Sequence, residues 1–223
     1  SHSSRTLTWT VTDANSNGVG AATSTGVTSI ISITPTTDNP SIHQIAGGNL
    51  DYTENGDADI LPNYDGYHWH NENIHIHDDD DSEIDSGTVI ISSGFLDGDI
   101  LTLSDQNGIS GTYDSSTGVL TIDGTASLAE YGTALQAITY HSTSEDPTIT
   151  SVNRTISWTV TDANSDGADS GTSSDITSTI TITPINDAPV ATAGGTLSYT
   201  ENSSPTIIDA GIIISDDDDI ELS

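Results

Sequence analysis

The sequence predicts an all-β fold: β-sandwich domains strung in tandem, with one short helix. Three observations carry that reading. Apolar residues alternate with Thr and Ser along Ile- and Thr-rich segments, the period-two pattern of half-buried strands. Clusters of Gly, Asn, Asp and Ser separate those segments as turns do. Finally, Arg5 to Pro40 (RTLTWTVTDANSNG, then TSIISITPTTDNP) is matched without a gap by Arg154 to Pro189 (RTISWTVTDANSDG, then TSTITITPINDAP). A period of about 150 residues is too long for a solenoid and fits an array of whole domains.

Taken in order, residues 1–40 read as the C-terminal part of one repeat, 41–189 as a complete repeat and 190–223 as the N-terminal part of the next. The match resumes after each proline, AGGNLDYTEN (46–55) against AGGTLSYTEN (193–202). The absence of methionine leads us to expect an excerpt of a longer array, with any targeting segment outside it. Within the complete repeat, strands are expected at 48–53, 74–77, 87–92, 99–103, 109–113, 118–122, 136–142, 154–161 and 176–183. Asp114 to Gly118 reads as a hairpin loop. A helix is expected at 127–135, where Ser127 and Glu130 form a capping box ahead of Leu128, Tyr131 and Leu135. Trp9 and Trp158 occupy equivalent strand positions and are expected as core anchors.

The chain has 34 acidic residues against two strong bases, Arg5 and Arg154, and a formal charge of -32. Such a field repels phosphate, which excludes nucleic acid and an anionic membrane surface as partners. No apolar run approaches the length needed to insert directly into a bilayer. Without cysteine there are no disulfides, thiolate zinc sites or cysteine nucleophiles. Hydrophobic residues make up 32% and aromatics 5%, so the core is lean and the chain repels itself. Bound cations are expected to supply the missing stability.

Two stretches point to where. Ile74 to Asp81 (IHIHDDDD) returns as Ile212 to Asp219 (IIISDDDD), a strand-like run ending in four aspartates. Neighbouring carboxylates roughly 4–7 Å apart repel by about 1 kcal/mol per pair even at the dielectric of water. A folded chain that repeats this arrangement in register calls for a hard cation with oxygen ligands, and calcium fits best. Asp78, Asp79, Asp80, Asp81, Asp216, Asp217, Asp218 and Asp219 are the candidates.

The copies differ at one place. Pro62 to Asn73 (PNYDGYHWHNEN) stands where the next copy has only Asp209-Ala210-Gly211. His68, His70, His75 and His77 lie in or beside this insertion. A hairpin turning at Glu72-Asn73 would set His70 against His75 and His68 against His77 on one face, a square suited to zinc, copper or nickel. The same residues also read as a polar surface hairpin, or, with Tyr64, Tyr67 and Trp69, as a contact to a neighbouring chain. His43 and His141 have no evident partner and are expected to be structural or solvent-facing.

The combination of YTEN early, RTISWTVTDANSDG late and TPINDAPV at the boundary resembles the cadherin-like, immunoglobulin-fold repeats of very large bacterial surface adhesins of the RTX type, secreted by type I systems. The resemblance implies Greek-key sandwiches in tandem, stiffened by calcium at their junctions. It implies junction ligands in Asn186 and Asp187, whose Asn-Asp-Ala-Pro stretch resembles the linker motif D-x-N-D-x-A-P with Pro184 in place of the first acid. The earlier linker carries Asp38 and Asn39, with Thr37 where Asn186 stands. Glu54 and Glu201 resemble the early glutamate that reaches such a junction. Asp162, Asn164 and Asp166, with Asp13 and Asn15, resemble acidic loop ligands. An EF-hand fails, since no glutamate stands at the twelfth loop position.

The expected function is therefore a calcium-rigidified extender of an extracellular adhesin or surface fibre on the bacterial cell surface. Its partners would be neighbouring repeats of the same chain and identical chains in a fibre. The alternative is a transition-metal- or partner-binding module built on the inserted hairpin. No pair of acids and no Ser-His-acid arrangement stands out as catalytic, so no enzyme activity is expected.

Overall fold

The structure is a computed structural model and describes residues 4–43, 49–61, 74–165, 167–219 and 221, without the Asn49 side chain. The insertion at 62–73, with His68, His70, Tyr64, Tyr67 and Trp69, lies outside the described residues, as does Asp166.

In the first copy, β1 (Ser4–Trp9) and β2 (Val27–Ser32) form an antiparallel ribbon. There follow β3 (Ser41–His43), β4 (Asn49–Thr53), β5 (Asp59–Ile60), β6 (His75–His77) and β7 (Glu83–Ser93). The chain continues with β8 (Asp99–Thr102), β9 (Ser110–Asp114), β10 (Val119–Ser127), α1 (Leu128–Gln136) and β11 (Thr139–Ser142). The long strands β12 (Asn153–Asp162) and β13 (Ile176–Thr183) come next, then β14 (Val190–Thr192) and β15 (Ile213–Ser215).

The result is an all-β sandwich with one short helix. A main sheet in the order β4-β13-β12-β7-β10-β9 faces a smaller one, β5-β11-β8, with β3 and β6 as a separate ladder. β4 lies parallel to β13, and the other pairings between these strands are antiparallel. Alternation sets the core. Arg154, Ile156, Trp158, Val160 and Asp162 turn inward from β12, and Ile84, Val89 and Ile91 from β7. They meet Leu101, Leu120, Ile122, Tyr131 and Tyr140, all buried.

The helix is capped as its sequence requires. Ser127 Oγ accepts the Glu130 N–H at 3.3 Å while Glu130 Oε2 accepts the Ser127 N–H at 3.0 Å. Its buried face of Tyr131, Ala134 and Leu135 packs on the core. The helix runs one residue beyond the expected end, because the Ala137 N–H still bonds to the Ala134 carbonyl and the Ile138 N–H to that of Leu135. The strand expected at 136–142 therefore starts at Thr139.

One of the two strong bases is entirely internal. The Arg154 Nε–H bonds to Asp99 Oδ2 at 2.6 Å, with both side chains fully buried. The guanidinium also donates to the Ser151 and Pro147 carbonyls, and Tyr140 OH donates to Asp99 Oδ1 at 2.6 Å. Tyr113 OH donates to the Asp99 carbonyl, and burial, with Asp99 and Asp114 nearby, pushes its phenol up to about 12. The pair is saturated with hydrogen bonds, which is what a buried ion pair needs to persist.

The expectation for Trp9 is corrected. Trp158 is fully buried, but Trp9 is 58% exposed, because no further strand or opposing sheet among the described residues covers the β1–β2 ribbon.

Candidate metal centre at the repeat junctions

The first tetra-aspartate run shows how local bonds sort its carboxylates, and the second repeats it. After β6, Asp78 Oδ1 accepts the N–H groups of Asp80 at 3.0 Å and Asp81 at 2.8 Å. That turn folds the loop over so that oxygens of Asp78, Asp80 and Asp81 lie within 4.8 Å of one another. After β15, Asp216 Oδ1 accepts the N–H groups of Asp218 at 3.3 Å and Asp219 at 3.0 Å, and Asp216, Asp218 and Asp219 converge likewise. In each run the second aspartate falls outside the cluster: Asp79 and Asp217 are exposed, and Asp79 sits 3.2 Å from His77 Nε2. Four adjacent aspartates thus become three converging groups and one outward one, since the Asx turn reverses the backbone at the second position.

Each linker docks on its cluster through the same bond. The Asp38 N–H donates to Asp80 Oδ2 at 3.0 Å, and the Asp187 N–H donates to Asp218 Oδ2 at 3.0 Å. The Asp38 side chain is exposed, so at the upstream junction it is the backbone of this residue that is engaged.

The upstream junction is completed from the far end of the repeat. Asp162 is 1% exposed; its carboxylate accepts the Asn164 N–H at 3.0 Å and the Gly171 N–H at 2.6 Å. A side chain on Gly171 would run into the Asn39 amide oxygen and lie 3.0 Å from Asp162 Oδ2, which places Asn39 and Asp162 side by side. The Ser165 N–H and hydroxyl both bond to Asp81 Oδ1, and Thr37 exchanges bonds with Asp169. Asn164 itself stands exposed with φ 52°, as Asn15 does with φ 49°; each shapes its loop through its left-handed backbone, which asparagine tolerates. Asp13 forms the same loop bonds to Asn15 and Ala22 and remains exposed.

The downstream junction joins three segments. Glu54, at the end of β4, is 2% exposed, and its Oε2 accepts the Ile185 N–H at 2.7 Å. Oxygens of Glu54, Glu145 and Asp187 lie within 4.8 Å of one another. Burial raises the Glu54 carboxyl above its ordinary range, the Ile185 N–H opposes this, and the charges of Asp187, Glu145 and Asp218 add to the rise. The neighbouring Asp218 carboxyl raises Asp216, and Asp218 is lowered by Asp216 and by the Asp187 N–H. Asp80 is raised too: the Asp38 N–H lowers it, and its bond to Asp78, burial and the Asp78 and Asp81 charges outweigh that. Asn186 donates to the Asp187 carbonyl, and Glu201, the counterpart of Glu54, is exposed. The sequence reading missed Glu145 and Ser165; Glu145 is one of 34 acids, with no motif around it.

The donor set fits a hard cation. Glu54 Oε1, Asp78 Oδ2, Asp80 Oδ1, Asp187 Oδ2 and Asp218 Oδ1 are buried and accept no hydrogen bond. Buried carboxylate oxygens without a donor are costly, and all five lie within the junction clusters. Oxygens from a repeat, a linker and the following repeat are the ligand chemistry of calcium. Glu54, Glu145, Asp187, Asp216, Asp218 and Asp219 would hold it downstream; Asp78, Asp80, Asp81, Asp162 and Asn39 would hold it upstream.

No family model matches the chain. Over 67 residues, 27% of its length, the chain is 48% identical to Halomucin of Haloquadratum walsbyi, of which it spans 1%. A mouse clustered PcdhgC3 EC1-3 structure superposes on 97% of this chain and 55% of its own, at TM-score 0.31 and 13% identity, too loosely to carry an argument.

Proposed function

We propose that the chain is a calcium-rigidified structural segment of a tandem-repeat protein exposed outside the cell, an extender of the RTX-adhesin kind, with no catalytic role. The observation that carries this reading is the pair of tetra-aspartate clusters, alike in their turn bonds and in the linker N–H that docks on them, each with buried carboxylate oxygens that lack a donor. Without the ion these carboxylates repel and the linkers pivot; with it, oxygens from two repeats and the linker between them are fixed around one charge. The neighbouring repeats of the same chain are then the first partners, and identical chains in a fibre the second. The cadherin-like character and the bacterial-surface location belong to this same proposal.

The test is thermal unfolding with small-angle scattering, in calcium and after exhaustive chelation. Each site held at a hundred times its dissociation constant adds about 2.7 kcal/mol to the folded state. A calcium-dependent rise in Tm together with a fixed, extended envelope is the expected result. Identical Tm and scattering in calcium and in chelator would sink the reading.

A further inference from the structure

We propose that His43, His75 and His77 form a three-imidazole site for a divalent transition metal such as zinc, nickel or copper, on the outer face of the β3–β6 ladder. This site is separate from the acidic clusters and does not depend on calcium reading of the junctions.

The ladder register makes the arrangement. His43 lies directly opposite His75, and Ser41 opposite His77. Period-two alternation sends Ile42 and Ile76 into the core and leaves His43, His75 and His77 exposed on one face. The His43 and His75 ring centroids are 6.3 Å apart, and those of His75 and His77 6.4 Å. His75 thus meets His43 of the neighbouring strand, and the expected pairing of His70 with His75 lies outside the described residues. Tetrahedral coordination at about 2.0–2.1 Å puts ligand nitrogens roughly 3.3 Å apart. As the rings stand, the three histidines are not among the groups whose ligand atoms lie within 4.8 Å of one another, so binding requires the exposed imidazoles to turn about their side-chain bonds.

Two further observations favour a metal over a decorated surface. The Ser41 hydroxyl has one proton, which goes to the His77 carbonyl at 3.1 Å, so at 3.0 Å it accepts from His43 Nε2–H and leaves the His43 Nδ1 lone pair available. His77 Nε2 faces Asp79 Oδ1 at 3.2 Å, a carboxylate within reach to hold the free ring nitrogen of a metal-bound histidine. Asp79 is the aspartate the acidic cluster leaves out. The second observation is internal. In the next repeat the same ladder pairs Thr192 with Ile213 and Val190 with Ser215, so all three imidazoles are present in one copy and none in the other. Imidazole nitrogen selects zinc, copper and nickel over calcium.

The test titrates the calcium-saturated chain with zinc by calorimetry, and with copper by electron paramagnetic resonance to count ligand nitrogens. One nitrogen-rich site is expected per chain. His43→Gln and His75→Gln should each weaken it on the order of a hundredfold, and Asp79→Asn about tenfold with calcium binding unchanged. His68→Gln/His70→Gln should leave it intact. Placing histidines at Thr192, Ile213 and Ser215 should create a second equivalent site, with circular dichroism confirming the fold. Binding that survives loss of His43 and His75, or that vanishes with His68 and His70, overturns the proposal, as does the absence of zinc binding.

Discussion

Residues 4–40 and 153–189 carry nearly the same sequence and adopt nearly the same local structure, yet one is surface and the other core. β1 and β2 pair in the register of β12 and β13, from Ser4 on Ser32 to Trp9 on Val27 and from Asn153 on Thr181 to Trp158 on Ile176. Both tryptophans donate to a serine hydroxyl at 3.0 Å, Trp9 to Ser29 and Trp158 to Ser178. Thr12 meets Thr23 as Thr161 meets Thr172. Burial separates them, because β12 and β13 lie between β7 and β4 whereas β1 and β2 have only each other among the described residues. Ribbon and loop geometry is therefore a local property of this sequence, while core membership is conferred by what packs on it.

The sharpest test of that separation is paired truncation. Trp158→Ala should cost about 3–5 kcal/mol in denaturant unfolding, and Trp9→Ala less than about 0.5 kcal/mol, as for an exposed position. Equal costs would mean that the first ribbon is packed in solution.

A smaller effect isolates the junction. The loop has Ala22 in one copy and Gly171 in the other, so its backbone accepts a methyl group. Gly171→Ala therefore acts through Asn39 and Asp162 alone: a loss of about 1–2 kcal/mol, as for overpacking, with weaker calcium binding upstream, is expected. Ala22→Gly should leave calcium binding unchanged. If both variants behave alike in calcium titrations, Asn39 and Asp162 are not joint ligands.

The third comparison turns on sign. The folded, metal-free Glu54 carboxyl is raised, so the folded state holds a proton the unfolded chain has released. In chelator, stability should therefore grow as pH falls toward the ordinary carboxylate range and be lost as pH rises through the folded pKa. In calcium the ion holds the carboxylate ionised, and stability should fall with acidification. Glu54→Gln should stabilise the chelated protein slightly, destabilise the calcium form, and flatten both pH trends. Glu201→Gln, at the exposed counterpart, should do nothing measurable in melts across pH 5 to 8.

Strand alternation, the capping box at Ser127 and Glu130, and the repeat were legible because each is written in neighbouring residues. The convergence of the tetra-aspartate runs was legible in part. Their split into three inward groups and one outward depends on which N–H groups Asp78 and Asp216 accept, a matter of loop dihedrals that composition does not encode. Glu145 and Ser165 reach their clusters across long sequence separations, and the burial of Glu54 against the exposure of Glu201 reflects the linker packed on one and not the other. β6 pairs with β3 across the whole insertion, so the partner of His75 lay beyond any local pattern.

Arg154 lies fully buried on Asp99, which leaves Arg5 as the one strongly basic side chain at the surface of a chain with 34 acids. The exterior is accordingly that of a polyelectrolyte whose counterions come from the medium. The exposed charges of this surface are screened over roughly 8 Å at physiological ionic strength. With one base withdrawn into the core, the reach of this chain's surface field is set by the dissolved salt.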